Sequence, residues 1–90
     1  MSAHLLISGH IQDVGFRYFV KSNSLKRGLK GWVTNTKDGK VEALLIGDKA
    51  KIEEMIMLCH KGPFFAQVKN VEVDWKENDP PDIIDFQVIK

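Results

Sequence analysis

Gly31-Trp32-Val33-Thr34-Asn35-Thr36-Lys37-Asp38-Gly39-Lys40-Val41-Glu42-Ala43-Leu44-Leu45-Ile46 is the stretch on which the fold turns. Trp32 and Val33 suit a pleated surface, so Gly31 to Asn35 reads as a strand. Lys37-Asp38-Gly39 holds the Asp-Gly pair that favours a tight hairpin, and Val41 to Ile46 is the returning strand. On the N-terminal side, Ala3 to Ser8 is a short apolar run with strand character. The polar loop Gly9 to Gly15 follows it, and Phe16 to about Leu29 reads as a helix closed by Gly28 to Gly31. On the C-terminal side, Asp48 is placed to cap a second helix, whose buried stripe is Ile52, Met55, Ile56 and Cys59. Lys61-Gly62-Pro63 ends that helix. Val71, Val73 and Trp75 alternate with Glu72, Asp74 and Lys76, the pattern of a strand with one wet face. After the turn Asp79-Pro80-Pro81-Asp82, Ile84, Phe86 and Val88 alternate with polar residues in a last strand.

The order strand, helix, strand, strand, helix, strand, strand predicts an α+β fold of the split βαβ kind, βαββαβ with an extra C-terminal strand. The expectation is an antiparallel sheet with both helices on one face. Topology by itself assigns no function. The first helix fits least well. Its core-facing stripe runs Phe16, Phe19, Val20, then Asn23 or Ser24 and Arg27, so its second half is polar, while Leu25 falls on the opposite side. Either Arg27 lays its stem on the core and releases its head at the helix end, or the helix is distorted there.

With 90 residues the chain is expected to form a single domain over 1–90. Its 43% hydrophobic and 28% charged residues are those of a globular protein rather than a disordered one. Apolar runs such as Ala43 to Ile46 fall far short of the about 20 residues a membrane span needs. The N-terminus lacks the basic segment and long apolar run of a secretory signal. A lone Cys59 makes no internal disulfide and no zinc site, which points to a reducing cytoplasm. The net charge of +1 recruits neither nucleic acid nor membrane. Residues 1–40 nevertheless hold seven Lys/Arg against two Asp, and residues 41–90 six against ten Asp/Glu. A basic first half suits a small anion, and it also fits a plain solvated helix face.

Gly9-His10-Ile11-Gln12-Asp13-Val14-Gly15-Phe16-Arg17 joins the first strand to the first helix. There, successive backbone N–H groups can turn inward as an anion nest at a helix N-terminus. Gly15 opens backbone angles closed to other residues, and Arg17 can return its guanidinium over the same cavity. Read from these residues alone, both a phosphoryl cradle and an ordinary glycine turn with a solvated arginine fit the segment.

The segment closely resembles the first signature of the acylphosphatase family, G-x-V-Q-G-V-x-F-R. Gly31-Trp32-Val33-Thr34-Asn35, with Gly39-x-Val41 and Gly47, is similar to the second, G-W-V-x-N followed by G-x-V and a later glycine. Gly62-Pro63-x-x-Ala66-x-Val68-x-x-Val71 resembles the segment after the family's second helix, so the likeness runs from about Leu5 to Ile89. It implies a ferredoxin-like α/β sandwich and a hydrolase for acyl phosphates working as a monomer. Gln12, Asp13, Val14, Gly15, Phe16 and Arg17 would bind phosphate through backbone N–H groups and the Arg17 side chain. Asn35 would hold the attacking water, with no metal or cofactor. A carboxylate leaving group needs little acid catalysis, so positioning and charge stabilisation suffice for the phosphoryl transfer.

Four departures from the family pattern stand out. Asp13 occupies a glycine position, where it costs strain if the backbone is left-handed and places a carboxylate near the phosphate. That raises an alternative reading, an acyl-phosphate-binding module with weakened catalysis; the carboxylate is expected to project into solvent. Thr34 replaces a long or basic side chain, with little consequence expected if it faces water. Ser24 and Arg27 replace small and apolar helix residues. Elsewhere, His4, His10 and His60 are not spaced as metal ligands. Cys59 reads as a buried structural thiol. Phe64-Phe65 either caps the core edge or marks a partner or acyl contact. An RNA-binding domain of the same topology would need aromatic residues on its central strands, which His4 to Ser8 and Val41 to Ile46 lack.

Overall fold

The computed structural model describes residues 1–90. The hairpin forms as read: β2 (Lys30–Asn35) and β3 (Val41–Ile46) pair antiparallel, with Asn35 opposite Val41. At its neck the Thr36 N–H donates to Lys40 O at 2.8 Å, and the Lys40 N–H donates to Thr36 Oγ1 at 3.0 Å. Gly39 holds the tight turn at φ 88°. β1 (Ser2–His10) pairs antiparallel with β3 on one side and with β4 (Gln67–Lys76) on the other. Side chains alternate along these strands: Ala3, Leu5, Ile7, Val33, Val41, Ala43 and Leu45 all point to one face and are inaccessible to solvent. α1 (Phe16–Lys26) covers β2 and the last strand, and α2 (Lys49–Lys61) covers β4 and β1. Phe16, Val20, Ile52, Met55 and Cys59 close the core from the helix side. Neither helix is long and apolar enough to cross a membrane.

The sheet order is β4-β1-β3-β2-β5, with β5 spanning Phe86–Ile89. Here the structure corrects the expectation of a wholly antiparallel sheet, because β5 pairs parallel with β2. The reason is topological. Three antiparallel pairings separate β4 from β2, so these strands run oppositely and β4 ends where β2 begins. Residues 77–85 cross the sheet at that end, and β5 must then run beside β2 in the same direction. The crossing is pinned to the start of β1: the N-terminal ammonium lies 2.5 Å from Asp79 Oδ1, and Ser2 Oγ donates to Asn78 O at 2.9 Å.

α1 is shorter than the sequence reading. It stops at Lys26 because Gly28 turns left-handed at φ 68°. Gly28 N–H then reaches Leu25 O and Leu29 N–H reaches Ser24 O, a Schellman closure that tucks Leu29 into the core. Arg27 follows the first of its two alternatives. Its stem is largely covered, with 22% of the side chain exposed, and its head joins Glu54 of α2 at 3.2 Å and Asn23 O at 3.0 Å. Ser24 is fully buried, and its hydroxyl has no partner.

Candidate active site

The loop between β1 and α1 is built by two residues with positive φ. Asp13 sits at φ 63° and Gly15 at φ 79°, both left-handed. For Gly15 this conformation carries no penalty, whereas for Asp13 it costs about 1 kcal/mol. Gly15 occupies the N-cap position of α1 and has no side chain to cap with, and no acidic residue lies in the first turn. The consequence is a run of unpaired donors. No backbone N–H from Gln12 through Tyr18 donates to a protein acceptor, and pairing resumes only with Phe19 N–H to Gly15 O at 3.0 Å. Unpaired N–H groups at the positive end of a helix dipole are an anion site.

Beside this run lies a cavity of about 250 Å³ lined by Ile11, Asp13, Gly15, Phe16, Arg17, Tyr18 and Asn35. The hairpin brings Asn35 there as the last residue of β2, and its carboxamide has no hydrogen-bond partner in the protein. Arg17 enters from the first turn of α1. Its Nη1 lies 3.4 Å from Ile89 O, at the end of β5, and it has no carboxylate partner. The same carbonyl accepts a hydrogen bond from Thr34 Oγ1 at 3.0 Å. Thr34 is therefore not the indifferent solvent-facing residue expected of it, since it shares an acceptor with the guanidinium.

Four of the six residues read as phosphate-binding line the cavity: Asp13, Gly15, Phe16 and Arg17. Gln12 and Val14 do not. The Gln12 side chain turns to the hairpin, where Nε2 donates to Thr36 O and Lys40 O, each at 2.9 Å. It ties the loop to the strand end that carries Asn35, so it acts on the site by fixing the separation of its two halves. Val14 packs against the core. The carboxylate-bearing residue Asp13 is exposed at the cavity rim. Sequence reading missed Ile11 and Tyr18 as lining residues, although Ile11 lies inside the first signature and Tyr18 follows it directly. It also missed the Ile89 carbonyl, which reaches the site only through the fold.

The other candidates lie outside this chemistry. Cys59 is buried, and burial pushes its thiol up to about 12, so it stays protonated and unreactive. At the hairpin tip the Thr36 hydroxyl holds the Asp38 carboxyl below its ordinary value. His4 pairs with Glu42 at 2.6 Å on the helix-free face of the sheet. No three His, Cys, Asp or Glu side chains converge as a metal site would require. Phe64 and Phe65 do not cap the core edge; they are 91% and 73% exposed and pack edge to face on each other.

Comparison with known proteins identifies the family. A family model described as Acylphosphatase matches residues 3–88. An acylphosphatase of Thermococcus kodakarensis is 44% identical over 87 residues, which cover 97% of this chain and 93% of that protein. One of Chloroflexus aurantiacus is 43% identical over 75 residues, covering 83% of this chain and 82% of its own. The crystal structure of acylphosphatase from Bacillus subtilis superposes with a TM-score of 0.93 at 30% identity, covering 99% of this chain and 98% of that one. The chain belongs to the acylphosphatase family.

Proposed function

We propose that residues 1–90 act as one catalytic domain that hydrolyses acyl phosphates to a carboxylate and inorganic phosphate at the cavity between the Gln12–Arg17 loop and Asn35. The observation that carries this reading is the run of unpaired N–H groups from Gln12 to Tyr18 beside a cavity lined by Arg17 and Asn35. The phosphoryl oxygens take the N–H groups and the guanidinium as donors, which stabilise the charge of the transition state. Asn35 is too weak a base to deprotonate water. It orients one water oxygen toward phosphorus, that oxygen bonds to phosphorus as the P–O bond to the acyl group breaks, and the proton passes to a phosphate oxygen. The carboxylate leaves with the bonding pair. Positive charge comes from the protein, so the reaction requires neither metal nor cofactor. This reading places the domain as a monomer in the cytoplasm, where a lone thiol such as Cys59 stays reduced.

The test is a continuous assay of acetyl phosphate and benzoyl phosphate hydrolysis in the presence of a chelator. The wild type is expected to turn over. Arg17→Ala and Asn35→Ala are expected to lose roughly 10²- to 10³-fold in kcat/KM, the scale of removing one transition-state donor. Full activity in either variant removes that residue from the mechanism, and activity lost only on chelation overturns the metal-free reaction. Asp13 on the cavity rim favours one other reading, a phosphate-binding module with little turnover. Multiple turnovers of benzoyl phosphate by the pure protein exclude it.

A further inference from the structure

Tyr18 lines two cavities at once. One is the site above; the other is an open trough of about 460 Å³ along the outer face of α1, lined by Tyr18, Lys21, Ser22, Leu25 and Lys26. Helical spacing puts Tyr18, Lys21, Ser22 and Leu25 at i, i+3, i+4 and i+7, so they form one continuous stripe. The stripe faces away from the core. Tyr18 and Leu25 are 55% and 54% exposed, so the apolar part of the stripe is open to a ligand. Lys21 and Lys26 flank the apolar residues and, like most lysines of the chain, pair with no carboxylate, so both ammonium groups are free to meet an anion. An apolar floor with cations at its sides, adjoining the proposed phosphate cavity at Tyr18, complements a ligand that is apolar along its length and anionic at its far end.

We infer that this trough is the acyl subsite, and that it favours acyl phosphates of dicarboxylic acids, with an apolar chain laid over Tyr18 and Leu25 and a distal carboxylate at Lys21 and Lys26. The inference rests on the reaction proposed above and names the substrate class that reaction prefers. Tyr18 and Leu25 stand ~10 Å apart along the axis, at about 1.5 Å rise per residue. A chain of the length of suberic acid spans that distance, whereas an acetyl group does not leave the phosphate cavity.

Three substrates separate the contributions: acetyl phosphate, octanoyl phosphate and the monoacyl phosphate of suberic acid. The expected order of kcat/KM is suberoyl above octanoyl above acetyl. Leu25→Ser lowers kcat/KM about fivefold for both tailed substrates and leaves acetyl phosphate unchanged, the effect of losing part of one apolar contact. The double variant Lys21→Gln with Lys26→Gln lowers it about threefold for the suberoyl substrate alone, and that loss fades at high salt. Leu25 and Lys26 are exposed and Lys21 is half-buried, and circular dichroism checks that both variants fold. If acetyl phosphate is turned over but the ratios among the three substrates are the same in all variants, the trough is not the acyl subsite and the reaction stands. If no substrate is hydrolysed, both readings fail.

Discussion

The two helices cover the same face of one sheet, yet they begin in opposite ways. α2 starts at Asp48, whose Oδ1 accepts the Ala50 N–H at 3.1 Å. α1 starts at Gly15, left-handed and without a side-chain cap, and leaves its first-turn N–H groups unpaired. The difference continues inward. The buried residues of α2 are Ile52, Met55 and Cys59, all apolar, whereas α1 buries Phe16, Val20 and the unpartnered hydroxyl of Ser24. α2 satisfies the rules of a stable helix. α1 leaves several of them unmet, and the unmet groups at its start are those that an anion would complete. A missing cap costs roughly 1 kcal/mol, which the bound phosphate oxygens can return as hydrogen bonds.

The most severe way to break this contrast is to give α1 the cap that α2 has. In Gly15→Asp the added carboxylate competes for the place proposed for phosphate. There is room for it, since an added Cβ meets nothing within 4 Å, and aspartate tolerates the left-handed backbone. Two unit charges ~4 Å apart repel by about 4 kcal/mol at an effective dielectric of about 20, and the solvated rim brings this to about 3. Inhibition by inorganic phosphate is expected to weaken about a hundredfold relative to Gly15→Asn, which carries the same backbone strain without the charge. Equal inhibition constants in the two variants mean that phosphate binds away from the N-terminus of α1.

A milder pair of changes sharpens the contrast through stability. Asp48→Ala is expected to lower unfolding free energy by about 1 kcal/mol with kcat/KM unchanged, because the cap of α2 serves the fold alone. Ser24→Ala is expected to raise it by about 1 kcal/mol, by removing a buried oxygen that no donor or acceptor meets. Urea midpoints measure both. A loss of activity in Asp48→Ala shows that the helices are not separable in function, and a loss of stability in Ser24→Ala shows that its hydroxyl finds a partner in solution.

The same contrast explains how far the fold and site were legible in the sequence. The capped, apolar-striped α2 was readable because each local rule agreed with the next. So was the hairpin, where Asp-Gly between two β-prone runs leaves little choice. The end of α1 was misplaced because Gly28 closes it through backbone geometry, while the residues before it keep helical spacing to Arg27. The parallel pairing of β5 was hidden for another reason: a short alternating run states which face is buried but not which neighbour it joins or in what sense. In the site, Arg17 and Asn35 were found through the family signatures, and the fold puts them on one cavity. The contact of Arg17 with the Ile89 carbonyl depends on the far end of the chain, and no local pattern announces it.

Asp13 is where the demands of α1 and of the loop before it meet, and its replacement has the smallest expected effect. At φ 63° a glycine would be free of strain, and Asp13 lines the cavity proposed to hold phosphate. Because Asp13 is exposed, water screens its repulsion of the anion: at ~6 Å it amounts to about 0.7 kcal/mol, or roughly threefold in affinity. Asp13→Gly should therefore bind inorganic phosphate about threefold more tightly and unfold with about 1 kcal/mol more free energy. Asp13→Asn divides these effects, since it removes the charge and keeps a side chain that tolerates the left-handed region. If it reproduces the tighter inhibition without the added stability, charge governs binding and backbone strain governs folding. Equal or weaker inhibition of Asp13→Gly by phosphate would place the carboxylate away from the anion, where its departure from the family pattern carries only a conformational cost.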